Sequence, residues 1–146
     1  MFNKILKCLA AGFALTRIAV APAAQAAEGD QEKVVYHIND STNAKALLGN
    51  VKNHLAAAPG TKIAVVGHGK GIDFMLEGAQ DANGNPYAVA MATLAAEGVD
   101  FKVCNNTLKS RNLTADAVAY PARVVPSGVA EIGRLQAKEA YVYIKP

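Results

Sequence analysis

The stretch VDFKVCNNTL, Val99 to Leu108, carries one cysteine, Cys104, directly into the polar residues Asn105, Asn106 and Thr107. A thiol placed where an apolar strand gives way to a turn or helix start meets backbone N–H groups that have no partner of their own. Such groups favour thiolate over thiol, and the thiolate is the nucleophile. A helix dipole contributes about 0.3–1 kcal/mol at an exposed end and up to about 2 kcal/mol when partly buried. At about 1.4 kcal/mol per unit, that takes a cysteine from about 8.5 to about 7. Lys109 and Arg111 follow closely and supply cations. The competing fate of a free cysteine is to pack as a small hydrophobe.

His68 stands between Gly67 and Gly69 in VVGHGKG, where missing side chains let a ligand or another backbone come close. It suits a base or a hydrogen-bond partner for a thiolate; a turn histidine facing water is the plainer alternative. His37, in an expected strand, and His54, in an expected helix, are read as structural. The glycines of GHGKG match neither G-x-x-x-x-G-K-[ST] nor G-x-G-x-x-G, so no phosphate loop is assigned. No histidines or cysteines stand at ligand spacing, and neither a metal nor another cofactor is expected. Ser127 lies in PSG rather than in a G-x-S-x-G elbow, and is expected to cap a helix.

These residues need elements to hold them. KVVYHIN, rich in β-branched and aromatic residues, predicts a first strand, ending at Asp40, Ser41 and Thr42, any of which can cap a helix. Ala44, Leu47, Leu48, Val51 and Leu55 follow at helical spacing until Pro59-Gly60. TKIAVVGHGKGI predicts a second strand, and YAVAMATLAAEG a helix closed by Gly98. Val99–Val103 is the third strand, followed by a less regular region to Tyr120. ARVVPSG, GVAEIGRLQAKEA and YVYIK then predict a short strand, a helix and a last strand. Alternation of this kind predicts an α/β chain: a three-layer, Rossmann-like sandwich with a mostly parallel five-stranded sheet and helices on both faces. In such sheets ligands bind beyond the carboxyl ends of the strands. Those ends carry Asn39, Asp40 and Ser41; Gly67, His68 and Gly69; Cys104, Asn105 and Asn106; and Pro126, Ser127 and Gly128.

The first residues read as a secretory signal: Lys4 and Lys7, an apolar middle interrupted by Arg17, and a small-residue exit at AQA. The expected organisation is a signal peptide over residues 1–26, cleaved after Ala26, and a single domain over 27–146. Periplasmic export follows, with no membrane association after cleavage. Lys4, Lys7 and Arg17 account for the whole formal charge of +3, so the remaining chain is balanced and offers nucleic acid no basic face. Cys8 leaves with the signal. Cys104 is then the sole thiol, and no internal disulfide can form.

Four stretches together resemble the DsrE family: KVVYHIND, IAVVGHGKGI, GVDFKVCNNTL and VPSGVAEIGRLQAKEAYVYIKP, spanning Lys33 to Pro146. The last block is most similar to the family's exported, uncharacterised branch. The resemblance implies a single Rossmann-like domain that assembles into a homo-oligomer, a trimer or hexamer. It also implies that Cys104 takes up sulfur as a persulfide from a donor protein or a small sulfane-sulfur compound, as a carrier or sulfurtransferase. His68, Asn105 and Asn106 would orient the thiolate or ligand, and Asn39, Asp40, Ser41, Gly67, Gly69 and Ser127 would line the pocket. Some relatives carry a second cysteine where this chain has Thr107, so a dithiol step within one subunit is excluded. The alternatives are a noncatalytic, oligomeric small-ligand-binding protein with a structural cysteine, and an intermolecular disulfide through Cys104.

Overall fold

A computed structural model describes residues 31–146. The expected signal peptide, with Cys8, Arg17 and the cleavage after Ala26, lies outside the described residues. The elements are β1 (Lys33–Asp40), α1 (Ala44–Ala57), β2 (Lys62–Lys70), α2 (Tyr87–Ala96), β3 (Asp100–Cys104), α3 (Asn105–Ser110), β4 (Arg123–Val125), α4 (Gly128–Glu139) and β5 (Val142–Ile144).

The five strands form one sheet in the order β4-β3-β2-β1-β5, and every pairing is parallel. Continuous apolar strands are what this architecture demands, because both faces are covered. Val34, Tyr36 and Ile38 of β1 point to a core shared with Leu47 and Val51 of α1 and Met91 and Leu94 of α2. Val35, with Ala64 and Val66 of β2, points to the other face, where Ile132 and Leu135 of α4 cover it. The helices therefore lie on both sides of the sheet.

Steps from β1 through β4 move one way along the sheet, and their helices share one face. The return from β4 to β5 runs back across β3, β2 and β1. Since crossovers between parallel strands are right-handed, reversing direction sends α4 to the opposite face. At the carboxyl edge the chain thus leaves β3 toward one face and β4 toward the other. That divergence opens the crevice where such sheets bind ligands, and Cys104 ends β3 beside it.

Two local features depart from the expected pattern. The region after β3 opens with a short helix, α3, rather than an irregular loop. Lys102, inside the expected apolar strand, is buried on the α4 face. Its Nζ lies 2.5 Å from Glu131 Oε1 and 3.3 Å from Asp100 Oδ2. Glu131 also accepts two bonds from Arg134, at 2.8 and 2.7 Å.

Candidate functional site

Cys104 is 4% exposed, and strand alternation turns its side chain to the α4 face, with Lys102 and away from Phe101 and Val103. Gly67 pairs with Val103, so His68 and Cys104 come next, side by side on neighbouring strands. Gly128, the first residue of α4, packs between them. A Cβ at Gly128 would stand 3.1 Å from Cys104 Cβ and 3.3 Å from both His68 Cβ and Gly67 O. A side chain at Gly128 would have to push these neighbours back by a few tenths of an ångström, so glycine suits the close seating of α4 over the thiol. Ser127 caps the same helix, its Oγ accepting from Ala130 N at 3.4 Å.

Burial pushes the Cys104 thiol up. Hydrogen bonds from the Gly128 N–H, the Thr107 N–H and hydroxyl and the Asn106 N–H oppose it and prevail, holding the thiol below its ordinary value. Thr107 does two jobs through one oxygen. Its Oγ1 accepts from Gly69 N at 3.0 Å, which leaves its own hydrogen free to donate to sulfur. Gly69 has φ +57, a left-handed conformation that favours glycine, and this turn delivers its N–H to Thr107. Arg111 Nη2 donates to Gly69 O at 2.8 Å while Nη1 pairs with Asp73. Arg111 therefore secures the turn after β2 and is not a counter-ion for the thiol.

His68 faces a partner that the sequence reading set aside as structural. Its Nε2 lies 2.7 Å from His37 Nε2, the two rings meeting edge to edge with centroids 4.7 Å apart and 23° between their planes. His37 Nδ1 in turn lies 2.6 Å from the Tyr143 hydroxyl. Burial first, then His68, then Lys145 push the His37 pKa down. Strand parity was the available signal: Val35 and His37, Val66 and His68, Lys102 and Cys104 alternate onto one face. His54 is structural, held between the Tyr36 hydroxyl at 2.9 Å and Glu32 at 3.2 Å.

The remaining sequence candidates serve the scaffold of this edge. Asn39 is exposed. Asp40 caps the turn at Ser41–Asn43 by accepting from Thr42 N at 3.0 Å, a bond that also holds its carboxyl low. Ser41 Oγ donates to Lys70 O and accepts from Phe74 N, pinning the loop after β2. Asn105 and Asn106 open α3; Asn106 reaches the thiol through its backbone N–H, and neither side-chain amide is among the thiol's donors. At Gly67 a Cβ would press on Gly71 O at 3.0 Å and displace the flexible end of Met75. Gly71 is required by a backbone approach, its Cβ position lying 2.2 Å from Ile38 O. Two glycines of the GHGKG region thus answer to protein contacts rather than to a phosphate. Among the described residues, no three His, Cys, Asp or Glu side chains converge as metal ligands do. A groove of about 310 Å³ between α1 and α2, lined by Leu48, Lys52, Ala90 and Glu97, lies on the opposite face of the sheet from Cys104.

A parallel five-stranded sheet with a strand-end thiol invites comparison with known chains. The model of the DsrE/DsrF-like family matches residues 29–146. The chain belongs to the DsrE/DsrF-like family. That family is associated with sulfur relay in general. A solved structure described as protein of unknown function MTH1491 from Methanobacterium thermoautotrophicum is 31% identical, with a TM-score of 0.69. That match covers 80% of this chain and all of the other. The ychN protein from E. coli shares the fold at a TM-score of 0.60 and 12% identity, covering 80% of this chain and 99% of that one. No curated protein matches the chain.

Proposed function

We propose that this DsrE/DsrF-like protein is a single-cysteine sulfur carrier or sulfurtransferase, exported to the periplasm as a homo-oligomer, in which Cys104 holds sulfur as a persulfide. The observation that carries the reading is the seat of Cys104, at the start of α3 and packed under the first residue of α4, where neighbouring N–H groups and the Thr107 hydroxyl hold its thiol below the ordinary value. The Cys104 thiolate attacks the outer, sulfane sulfur of a donor such as thiosulfate. A Cys–S–S bond forms, the donor's S–S bond breaks, and sulfite leaves with the bonding pair. An acceptor thiolate then takes the outer sulfur and returns Cys104 as thiolate. The same donors stabilise the sulfur anion at each stage, and thiolate fraction and leaving group set the rate. With Thr107 in place of a second cysteine, sulfur must arrive from and leave to another molecule.

The test is to incubate the purified chain with thiosulfate or polysulfide and weigh it intact. The expected product is one sulfur atom heavier, is cleared by a thiol reductant, and is absent from Cys104→Ser. No adduct, or one that survives Cys104→Ser, overturns the proposal. The 4% exposure of Cys104 favours a second reading, a ligand-binding protein whose cysteine is only packed. A labelling titration separates the two: a carrier's thiol reacts with a small alkylating agent near neutrality, whereas a packed thiol waits for unfolding.

A further inference from the structure

We propose that His37, His68 and Tyr143 form one proton-holding unit of the site, with His68 at the inner end beside Cys104 and Tyr143 at the outer end, which takes up the proton that Cys104 releases. The inference rests on reading Cys104 as a thiolate nucleophile, but its test needs no sulfur transfer.

The hydrogen-bond count carries it. Two Nε2 atoms 2.7 Å apart admit one hydrogen between them. In the neutral unit, one imidazole donates across that contact and the other accepts. His37 Nδ1 and the Tyr143 hydroxyl, 2.6 Å apart, complete the string in either direction. One added proton leaves every bond intact. His68 then carries N–H on both nitrogens, its Nε2–H donates to His37 Nε2, and His37 Nδ1–H donates to the Tyr143 oxygen. Moving the central hydrogen across the contact transfers the charge to His37 and changes nothing else. A second added proton would set hydrogen against hydrogen at 2.7 Å. The unit therefore alternates between neutral and singly charged.

Its inner end lies beside the thiol's strand. His68 Nδ1 is the one ring nitrogen outside the string, and the His68 Cβ packs against one side of Gly128 while Cys104 Cβ packs against the other. A charge at His68 stands across a single glycine from a thiolate. The other titratable and charged groups near the unit are Lys145, just past β5, and Cys104 of β3. Glu131 and Arg134 of α4 pair with each other, and Glu131 with Lys102. Burial, His68 and Lys145 all push the His37 pKa down, which disfavours charge on His37. Tyr143 is 39% exposed and opens the string to solvent.

The experiment follows the Cys104 thiolate by its ultraviolet absorbance and the imidazoles by nitrogen NMR, across pH, in the full chain. In wild type, the histidine signals record proton uptake as the thiolate persists below neutrality. His37→Gln and His68→Gln are expected to lower the thiolate fraction at slightly acid pH by about threefold to tenfold, as for two charges coupled across a few ångströms. Both converge on wild type in alkali. Tyr143→Phe shifts the profile the same way by less. Coupling is reciprocal, so Cys104→Ser lowers the pKa of the histidine pair by the matching amount. Thiolate profiles unmoved by both histidine variants overturn the proposal, as does a histidine titration unmoved by Cys104→Ser. Failure to form a persulfide, with these shifts present, overturns the carrier reading alone.

Discussion

Thr107 is the residue on which the candidate site most directly turns. Its oxygen accepts from Gly69 N and its hydrogen is among the thiol's donors, so Thr107→Val removes both at once. Leaving the Gly69 N–H without a partner costs about 1–3 kcal/mol. The same variant is expected to raise the Cys104 pKa, read as slower alkylation near neutrality, and Thr107→Ser is expected to restore both. A variant that loses stability but keeps the thiolate profile would show that Thr107 only supports the turn. Cys104 and His68 were legible in the sequence because strand ends can be read from apolar runs and glycines. His37 was not: it lies three residues before the end of β1, and its role depends on which neighbouring strand brings another imidazole to the same face. Sequence order does not specify strand order, and β2 rather than any other strand supplies His68.

At the scale of elements, α4 is fastened to β3 by a buried charge cluster that holds the roof of the site. The Arg134 guanidinium first, burial in opposition, and then Lys102 take the Glu131 carboxyl from 4.5 down to about 2. Because the folded value lies below the unfolded one, this contribution to stability is fully present above the unfolded pKa. It is lost as pH falls through the folded value, on the order of 3 kcal/mol in all. Acid titration of the melting temperature is expected to fall more steeply for wild type than for Glu131→Gln. That variant leaves Lys102, 2% exposed, with Asp100 alone at 3.3 Å, and is expected to be less stable at neutral pH by about 3 kcal/mol. Equal acid slopes in the two proteins contradict the assignment. The helices themselves were legible from spacing: Ala44, Leu47, Leu48 and Val51 are the buried face of α1. Lys102 was not, since an alternating strand accepts a lysine on either face until the opposing helix, with its Glu131, is placed.

For the whole molecule, the reversal of direction between β4 and β5 both opens the crevice at Cys104 and brings the last strand against β1. β5 is short and pairs only with β1, Val34 with Val142, Val35 with Tyr143 and Tyr36 with Ile144. The close of α4 does not depend on it, because Tyr141 N donates to Leu135 O at 3.1 Å and Ala140 adopts the left-handed conformation. Deleting Val142–Pro146 therefore keeps the α4 cap while uncovering the edge of β1, a template for pairing with other chains. Each backbone bond lost costs about 0.5–1.5 kcal/mol, so the shortened chain is expected to melt earlier and to associate with rising concentration. Tyr143→Phe, by contrast, removes one hydroxyl at a half-exposed position and is expected to leave the melting temperature within a degree or two of wild type. Calorimetry and light scattering on the two proteins separate the functions that β5 combines. If the deletion melts like wild type and stays disperse, the sheet is complete with four strands and β5 serves the histidine string alone. If Tyr143→Phe melts as early as the deletion, the hydroxyl is a structural fastening, and the string binds the sheet edge together rather than holding a proton for Cys104.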